Sequence, residues 1–335
     1  MKKWPNFKVV GKVSDEDKQK VVGAINNLFE KPWAVPDREK IDHKKTAEQL
    51  SILKFINDET NALMRETGVE PFDFPADGYF VMERDNFVKF FNTESAVGVV
   101  DDLSPKIGLL YEDMIANIDF ALIAYHETLH IKAMHVFEAR KENDKTTIKC
   151  VRHGIIVSSS HEEDLKNNKY QYFSPLHEAT VEWMSEQVFS KVLDLPELAK
   201  EKEYMHSAEF KLARRDLAKK LNINEKRIRY IRGDGTPSIF VYQYPRALLK
   251  YVCEKISARF NDRYPKKEDA FKEFIKVHFT SDLTTIIKLV DETFGEKSFR
   301  LFEKLNLDDK RTSSALVLME LEKKLQEMNL ETNAN

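Results

Sequence analysis

The sequence predicts an α+β protein with a largely helical second half, and three observations carry that reading. Tyr79–Met82 and Ile107–Tyr111 are short apolar runs that read as strands. Directly after them, Asp113–Lys141 contains neither Pro nor Gly and repeats apolar residues every three to four positions, the spacing of one long helix. From about residue 195 onward the pattern is almost wholly helical, with stops near Gly233–Pro237 and at Pro265.

The elements follow in order. Residues 13–67 read as two helices around the loop KPWAVPD; the second, Thr46–Thr67, carries Leu50, Ile52, Leu53, Ile56, Ala62 and Leu63. GVEPFDFPADG is a Pro-punctuated connector to the first strand. The long helix has a stripe of Ile115, Ile118, Ala121, Leu122, Tyr125, Leu129, Ala133 and Val136, and Phe120, Ile123 and Ala124 thicken it, so its middle is buried nearly all round. Thr146–Arg152 and Ile155–Ser158 form a hairpin around His153-Gly154, and the polar loop HEEDLKNNKYQ leads to a helix over Pro175–Leu193. Pro175 suits a first helical turn, with Ser174 as its N-cap. The layout divides into an N-terminal helical region (1–75), a core with strands and two helices (76–195) and a helical C-terminal lobe (196–335), with a cleft between the last two.

Composition narrows the class. With 335 residues the chain can build one large domain or two smaller ones, and 42% hydrophobic with 33% charged residues is ordinary for a globular protein. A net charge of −3 makes no general case for nucleic acid or an anionic membrane as partner. Cys150 and Cys253 are too few for a disulfide framework, the start MKKWPNFKVVGKVSDEDK lacks an apolar leader core, and no stretch reaches 18 consecutive apolar residues. The expectation is a cytoplasmic protein with no membrane span.

The chemistry is concentrated in His126-Glu127-Thr128-Leu129-His130. Residues four apart share a helix face, so both imidazoles reach one metal ion, and Glu127 can act as general base on water activated there. Two His and a Glu within a buried helix need partners, since unpaired polar groups there are costly, and a zinc ion supplies one. A catalytic zinc keeps three protein ligands and an open position. The H-E-x-x-H-x-x-G-x-x-H continuation fails, because Ala133 and Val136 hold its Gly and third His positions. The better source is the second helix, where Glu178 lies 48 residues past His130 and Glu182 one turn further. An i, i+4 carboxylate pair suits one metal ligand and one acceptor for a ligand imidazole's other N–H. Leu176, Ala179, Val181, Trp183 and Met184 surround the pair with apolar surface, unlike a solvated helix face.

HETLH followed by LHEATVEW resembles the gluzincin type of zinc metallopeptidase, whose thermolysin-like members carry H-E-x-x-H and then N-E-x-x-x-D/E on a second helix. The resemblance is specific over about residues 70–190; VRHGIIVSSS…SPLHEATVEW is also similar to uncharacterised bacterial zincin-like proteins. It implies a zincin-like fold, with a small mixed sheet beside the active-site helix and an α-helical C-terminal lobe. It also implies Zn²⁺ on His126, His130 and Glu178, Glu127 as base, Glu182 behind the ligands, and peptide or protein as substrate. By the same resemblance Ile107–Tyr111 is the sheet edge along the cleft, where an extended peptide pairs. The chain departs at His177, where many members have Asn, so either His177 or Glu178 could meet the metal; the family pattern favours Glu178. The 18-residue spacing of the aminopeptidase branch is absent, since Lys149 stands there. A peptidase of this type also needs an oxyanion donor. Tyr244 is the first candidate, followed by Tyr242 and His206.

One segment points elsewhere. Residues 211–232 resemble a helix-turn-helix, with Ala218, Ile223, Ile228 and Ile231 at its apolar positions and nine basic residues from Lys211 to Arg232. The competing readings are therefore a DNA-binding protein, or a zinc protein without proteolytic activity.

Overall fold

The computed structural model describes residues 6–30, 38–94, 96–101, 105–113, 116–142, 145–159, 171–307 and 311–334. It is an α+β fold in which a buried helix packs against a three-stranded sheet and two other helices, with a five-stranded sheet following it in the chain. The loop KPWAVPD and most of HEEDLKNNKYQ lie outside the described residues.

The chain enters through strand β1 (Phe7–Val10), helix α1 (Asp15–Glu30) and the short α2 (Arg38–Ile41). Helix α3 (Ala47–Glu66) starts at a reciprocal cap: Thr46 Oγ1 accepts from the Gln49 N–H, and the Gln49 side chain accepts from the Thr46 N–H. Its Ile52, Ile56 and Met64 face the core. A three-stranded sheet follows, built from β2 (Tyr79–Met82), β3 (Gly98–Asp101) and β4 (Lys106–Leu110) in the order β2-β4-β3, with α4 (Arg84–Phe91) between the first two in sequence. β4 therefore lies in the middle of the sheet, not at its edge. Ile107, Leu109 and Leu110 are buried, as expected of a strand with a partner on each side. The two outer strands are β2, parallel to β4, and β3, antiparallel to it.

Helix α5 (Asn117–Lys132) carries the HETLH motif and has no exposed side. It ends at Ala133, well short of the expected terminus at Lys141. His135–Glu142 instead forms strand β5, parallel to β1 and antiparallel to β6 (Lys145–His153). The alternation that turns Phe137 and Ala139 into the core is a period of two, and pairing on both edges satisfies the backbone that a helix would otherwise have satisfied. β6 turns at Gly154 (φ +55) into β7 (Ile156–Ser158), and β8 (Gln171–Tyr172) completes the sheet order β1-β5-β6-β7-β8.

Helix α6 (Ser174–Leu193) packs across α5. Pro175 is in its first turn as expected, but Ser174 is the first helical residue and its hydroxyl bonds Gln171, so it is not the cap. Beyond come α7 (Ala199–His206), α8 (Ala208–Leu221), a hairpin of β9 (Ile228–Ile231) and β10 (Pro237–Ile239), and then α9 (Gln243–Arg259), α10 (Lys267–Thr280), α11 (Thr284–Phe294) and α12 (Arg311–Ala334). The expected second helix of a helix-turn-helix does not form. Asn222 turns left-handed at φ 53, Glu225–Arg227 makes one 3₁₀ turn, and the β-branched and aromatic IRYI pairs as a strand. Among the described residues no helix is long and apolar enough to cross a membrane.

Candidate metal centre

Helix geometry puts His126 and His130 on one face of α5, and the crossing of α6 brings Glu178 to them. His126 Nε2, His130 Nε2 and Glu178 Oε2 form a triangle with edges of 3.1, 3.3 and 3.5 Å. Ligand atoms around a tetrahedral zinc at its usual bond lengths stand about 3.3 Å apart. Two imidazole nitrogens and one carboxylate oxygen are a zinc donor set with one position left over, so the residues fit the ion.

Glu182, one turn past Glu178, is held by two donors. Its Oε2 faces His126 Nδ1 at 3.2 Å, and its Oε1 accepts the Val241 N–H at 2.9 Å. The carboxylate draws the His126 hydrogen onto Nδ1 and leaves Nε2 pointing into the triangle. The electrostatics call for a cation. Burial opposes charge on the His126 ring, yet Glu178 and Glu182 outweigh it and lift its pKa to about 10. Burial likewise pushes the Glu178 carboxyl up, but His130 and His126 hold it well below the usual carboxylate range.

Glu127 is buried beside the triangle, and burial pushes its carboxyl up against the pull of both histidines. With His126, Tyr242 and Arg229 it lines a cleft of about 240 Å³, which Leu122, Ile123 and Ala96–Gly98 at the start of β3 also line. The strand along the cleft is thus β3. Gly98 lets it approach, since a Cβ there would stand 2.6 Å from Glu127 Oε1.

Tyr242, not Tyr244, enters the cleft. Tyr242 precedes α9 in the left-handed region at φ 52, a strained conformation for an aromatic residue, and its ring lies 6.5 Å from that of His126. Its hydroxyl interacts with Glu178; burial and the surrounding carboxylates raise its pKa, so it stays a hydrogen donor. Tyr244 sits two residues later, on a different side of the helix start, and lines a separate groove with Tyr251 and Leu318. His206 is exposed at the end of α7.

His177 meets His130 on its far side: His177 Nε2 is 3.0 Å from His130 Nδ1. His153 and His278 close that layer, each ring pointing Nε2 at a carbonyl of the α5 C-terminus, His130 O at 2.8 Å and Leu129 O at 2.9 Å. His130, His153 and His177 also lie close enough to hold an ion, but this group has no carboxylate and is fully buried. The triangle with Glu178 has the charge and the cleft, and is the better cation site.

The sequence had placed Arg229 in a basic DNA-facing run and His153 only at a hairpin turn, and gave no signal for His278. Arg232 is likewise turned inward, onto the buried Asp119 of α5 at 2.7 Å. Arg229 and Arg232 stand three residues apart beside an irregularity in the β9–β10 pairing, so no simple spacing announced their inward turn. No protein-family model, no curated protein and no solved structure matches the chain.

Proposed function

We propose that this chain is a zinc-dependent peptidase of the gluzincin kind, with a zincin-like fold. The observation that carries the reading is the His126–His130–Glu178 triangle, with edges near those of a zinc tetrahedron, beside an acid on the cleft wall. Zinc held by those three atoms supplies a Lewis acid that activates water and polarises a carbonyl.

The chain's own residues do the rest. Glu127, as carboxylate, takes the proton from the attacking water and passes it to the leaving amine. Its burial brings its affinity for that proton closer to what both transfers need. Tyr242 donates its hydroxyl hydrogen to the oxygen on which negative charge develops. Glu182 fixes the His126 ring, as an acceptor behind a ligand imidazole does. The outer strand β3 offers main-chain groups to an extended peptide, independent of its sequence. Leu122, Ile123, Val97 and Val241 give the cleft an apolar wall for a substrate side chain.

The test is metal analysis of the purified protein together with digestion of a peptide library, run beside Glu127→Gln. The expected result is one zinc per chain in both proteins, with cleavage by the wild type alone. Cleavage that survives Glu127→Gln, or a protein without zinc, overturns the proposal.

A further inference from the structure

Two charged side chains on the cleft wall, Glu127 and Arg229, make no hydrogen bond or ion pair among the described residues. Glu127 has a role in the chemistry proposed above; Arg229 has none. It stands on β9 with its side chain half-buried, and its Nε is buried without a hydrogen-bond partner. The neighbouring arginines are both answered. Arg232 Nε donates to Asp119 Oδ2 at 2.7 Å, and Arg246 Nη1 donates to Glu186 Oε2 at 3.3 Å. The Phe240 ring steadies two of the three: its centroid lies 5.2 Å from the guanidinium carbon of Arg229 and 5.3 Å from that of Arg246.

The nearby carboxylates are committed elsewhere. Glu182 meets His126 Nδ1 through Oε2 and the Val241 N–H through Oε1. Asp119 gives Oδ2 to Arg232, and its Oδ1 has no partner, so Arg229 does not reach it. Both carboxylates act on Arg229 through space alone. A guanidinium is always charged in a protein and carries five N–H donors. Taking it out of water without an anion is costly, and the ligand that fits its fork is a carboxylate accepting two parallel N–H bonds. Glu127, Glu178 and Glu182 repel an anion from the rest of the wall. A carboxylate on the substrate therefore settles at Arg229, in the same cleft of about 240 Å³ as the base. That anchor fixes where the peptide lies relative to the bond that is cut.

We propose that Arg229 is the specificity-determining residue of the cleft, taking a carboxylate of the peptide substrate beside the scissile bond. The carboxylate is that of an Asp or Glu side chain or that of the peptide's own C-terminus; the chemistry recognised is the same. This rests on the peptidase reading above.

The test uses the zinc-loaded full chain and paired peptides built on a library sequence that the wild type cleaves. One set exchanges Glu for Gln at each residue flanking the scissile bond in turn; the other exchanges a free C-terminus for an amidated one. The wild type is expected to favour the carboxylate by about 10–100-fold in kcat/KM in one set, the range expected for hydrogen bonds to a charged group. The set that responds identifies the source as side chain or terminus. Arg229→Gln is expected to bring that ratio close to one at unchanged zinc content, through KM more than kcat. Arg229→Lys keeps the charge without the fork and is expected to fall between. Because the ratio is taken within each protein, a general loss of activity does not imitate it. Cleavage by the wild type with no preference in either set, or a preference that Arg229→Gln leaves intact, overturns the proposal and leaves the peptidase reading standing. A wild type without zinc, or without cleavage that Glu127→Gln abolishes, overturns both. The wild-type ratios need no variant, so they decide the point even where Arg229→Gln does not fold.

Discussion

Gly98 lies against Glu127: a Cβ at position 98 would stand 2.6 Å from Glu127 Oε1 and 2.8 Å from Ile123 Cγ2. β3 and helix α5 approach so closely there that only a hydrogen fits between them. Gly98→Ala must push the Glu127 carboxylate from its place while leaving His126, His130 and Glu178 untouched. A displacement of about 1 Å can cost on the order of 10²-fold, so kcat/KM is expected to fall by about that much at unchanged zinc content. Wild-type kinetics in Gly98→Ala, measured with any substrate of the wild type, would show that the strand yields instead.

Glu127→Gln keeps the shape of the side chain but cannot accept a proton. Hydrolysis is expected to drop by about 10²–10⁴-fold or more, with metal content and Tm preserved. Steady-state rates beside metal analysis check both halves.

The two tyrosines near the start of α9 are separated by their positions. Tyr242→Phe removes the hydroxyl beside Glu178 and is expected to lower kcat by about 10²–10³-fold with a smaller effect on KM. Tyr244→Phe, in its separate groove, is expected to leave both constants near wild type. The reverse order would return the donor role to Tyr244.

Glu178 and His177 differ in what they meet. Glu178 Oε2 lies 3.3 and 3.5 Å from His126 Nε2 and His130 Nε2, whereas His177 faces the other side of His130. Glu178→Gln exchanges an anionic ligand for a neutral amide. It is expected to cost more zinc affinity than the about 10–100-fold typical of losing an outer partner. His177→Asn retains an acceptor oxygen for the His130 Nδ1–H and is expected to stay within about 10-fold of wild type. Competition with a chromogenic chelator measures both.

Lys132, 0% exposed, donates to Thr60 Oγ1 at 2.8 Å and Asn61 Oδ1 at 2.9 Å. Burial pulls its pKa down from the usual 10.5 to about 7, against the attraction of Asp73 and Asp58. Between those values the unfolded chain binds more protons than the folded one, so this group's contribution to stability rises with pH across that window and is least favourable below it. The slope is at most about 1.4 kcal/mol per pH unit. The Tm of wild type minus that of Lys132→Met is expected to increase from about pH 6.5 to about pH 9. Parallel pH profiles would show that Lys132 titrates as it does in water.

What the sequence by itself determined is local. His126 and His130 share a helix face because 3.6 residues make a turn, and Glu178 and Glu182 share one by the same rule. The helix start at Thr46 and the turn at Gly154 were legible for the same reason, since each is decided within a few residues. Tertiary structure decided the rest. His135–Glu142 became a strand because β1 and β6 were there to pair with it, and that pairing joins residues more than a hundred positions apart at one edge. IRYI likewise became a strand because β10 was there to pair with it, and Arg229 lines the cleft while Arg232 pairs with Asp119. Tyr242 was preferred to Tyr244 through a left-handed backbone at a non-glycine residue, which no local propensity favours. His153 and His278 reached the end of the metal helix from β6 and α10, and spacing along the chain carries no trace of such meetings. A helix face is set by bond geometry, whereas a contact between distant segments is set by which packing buries the core.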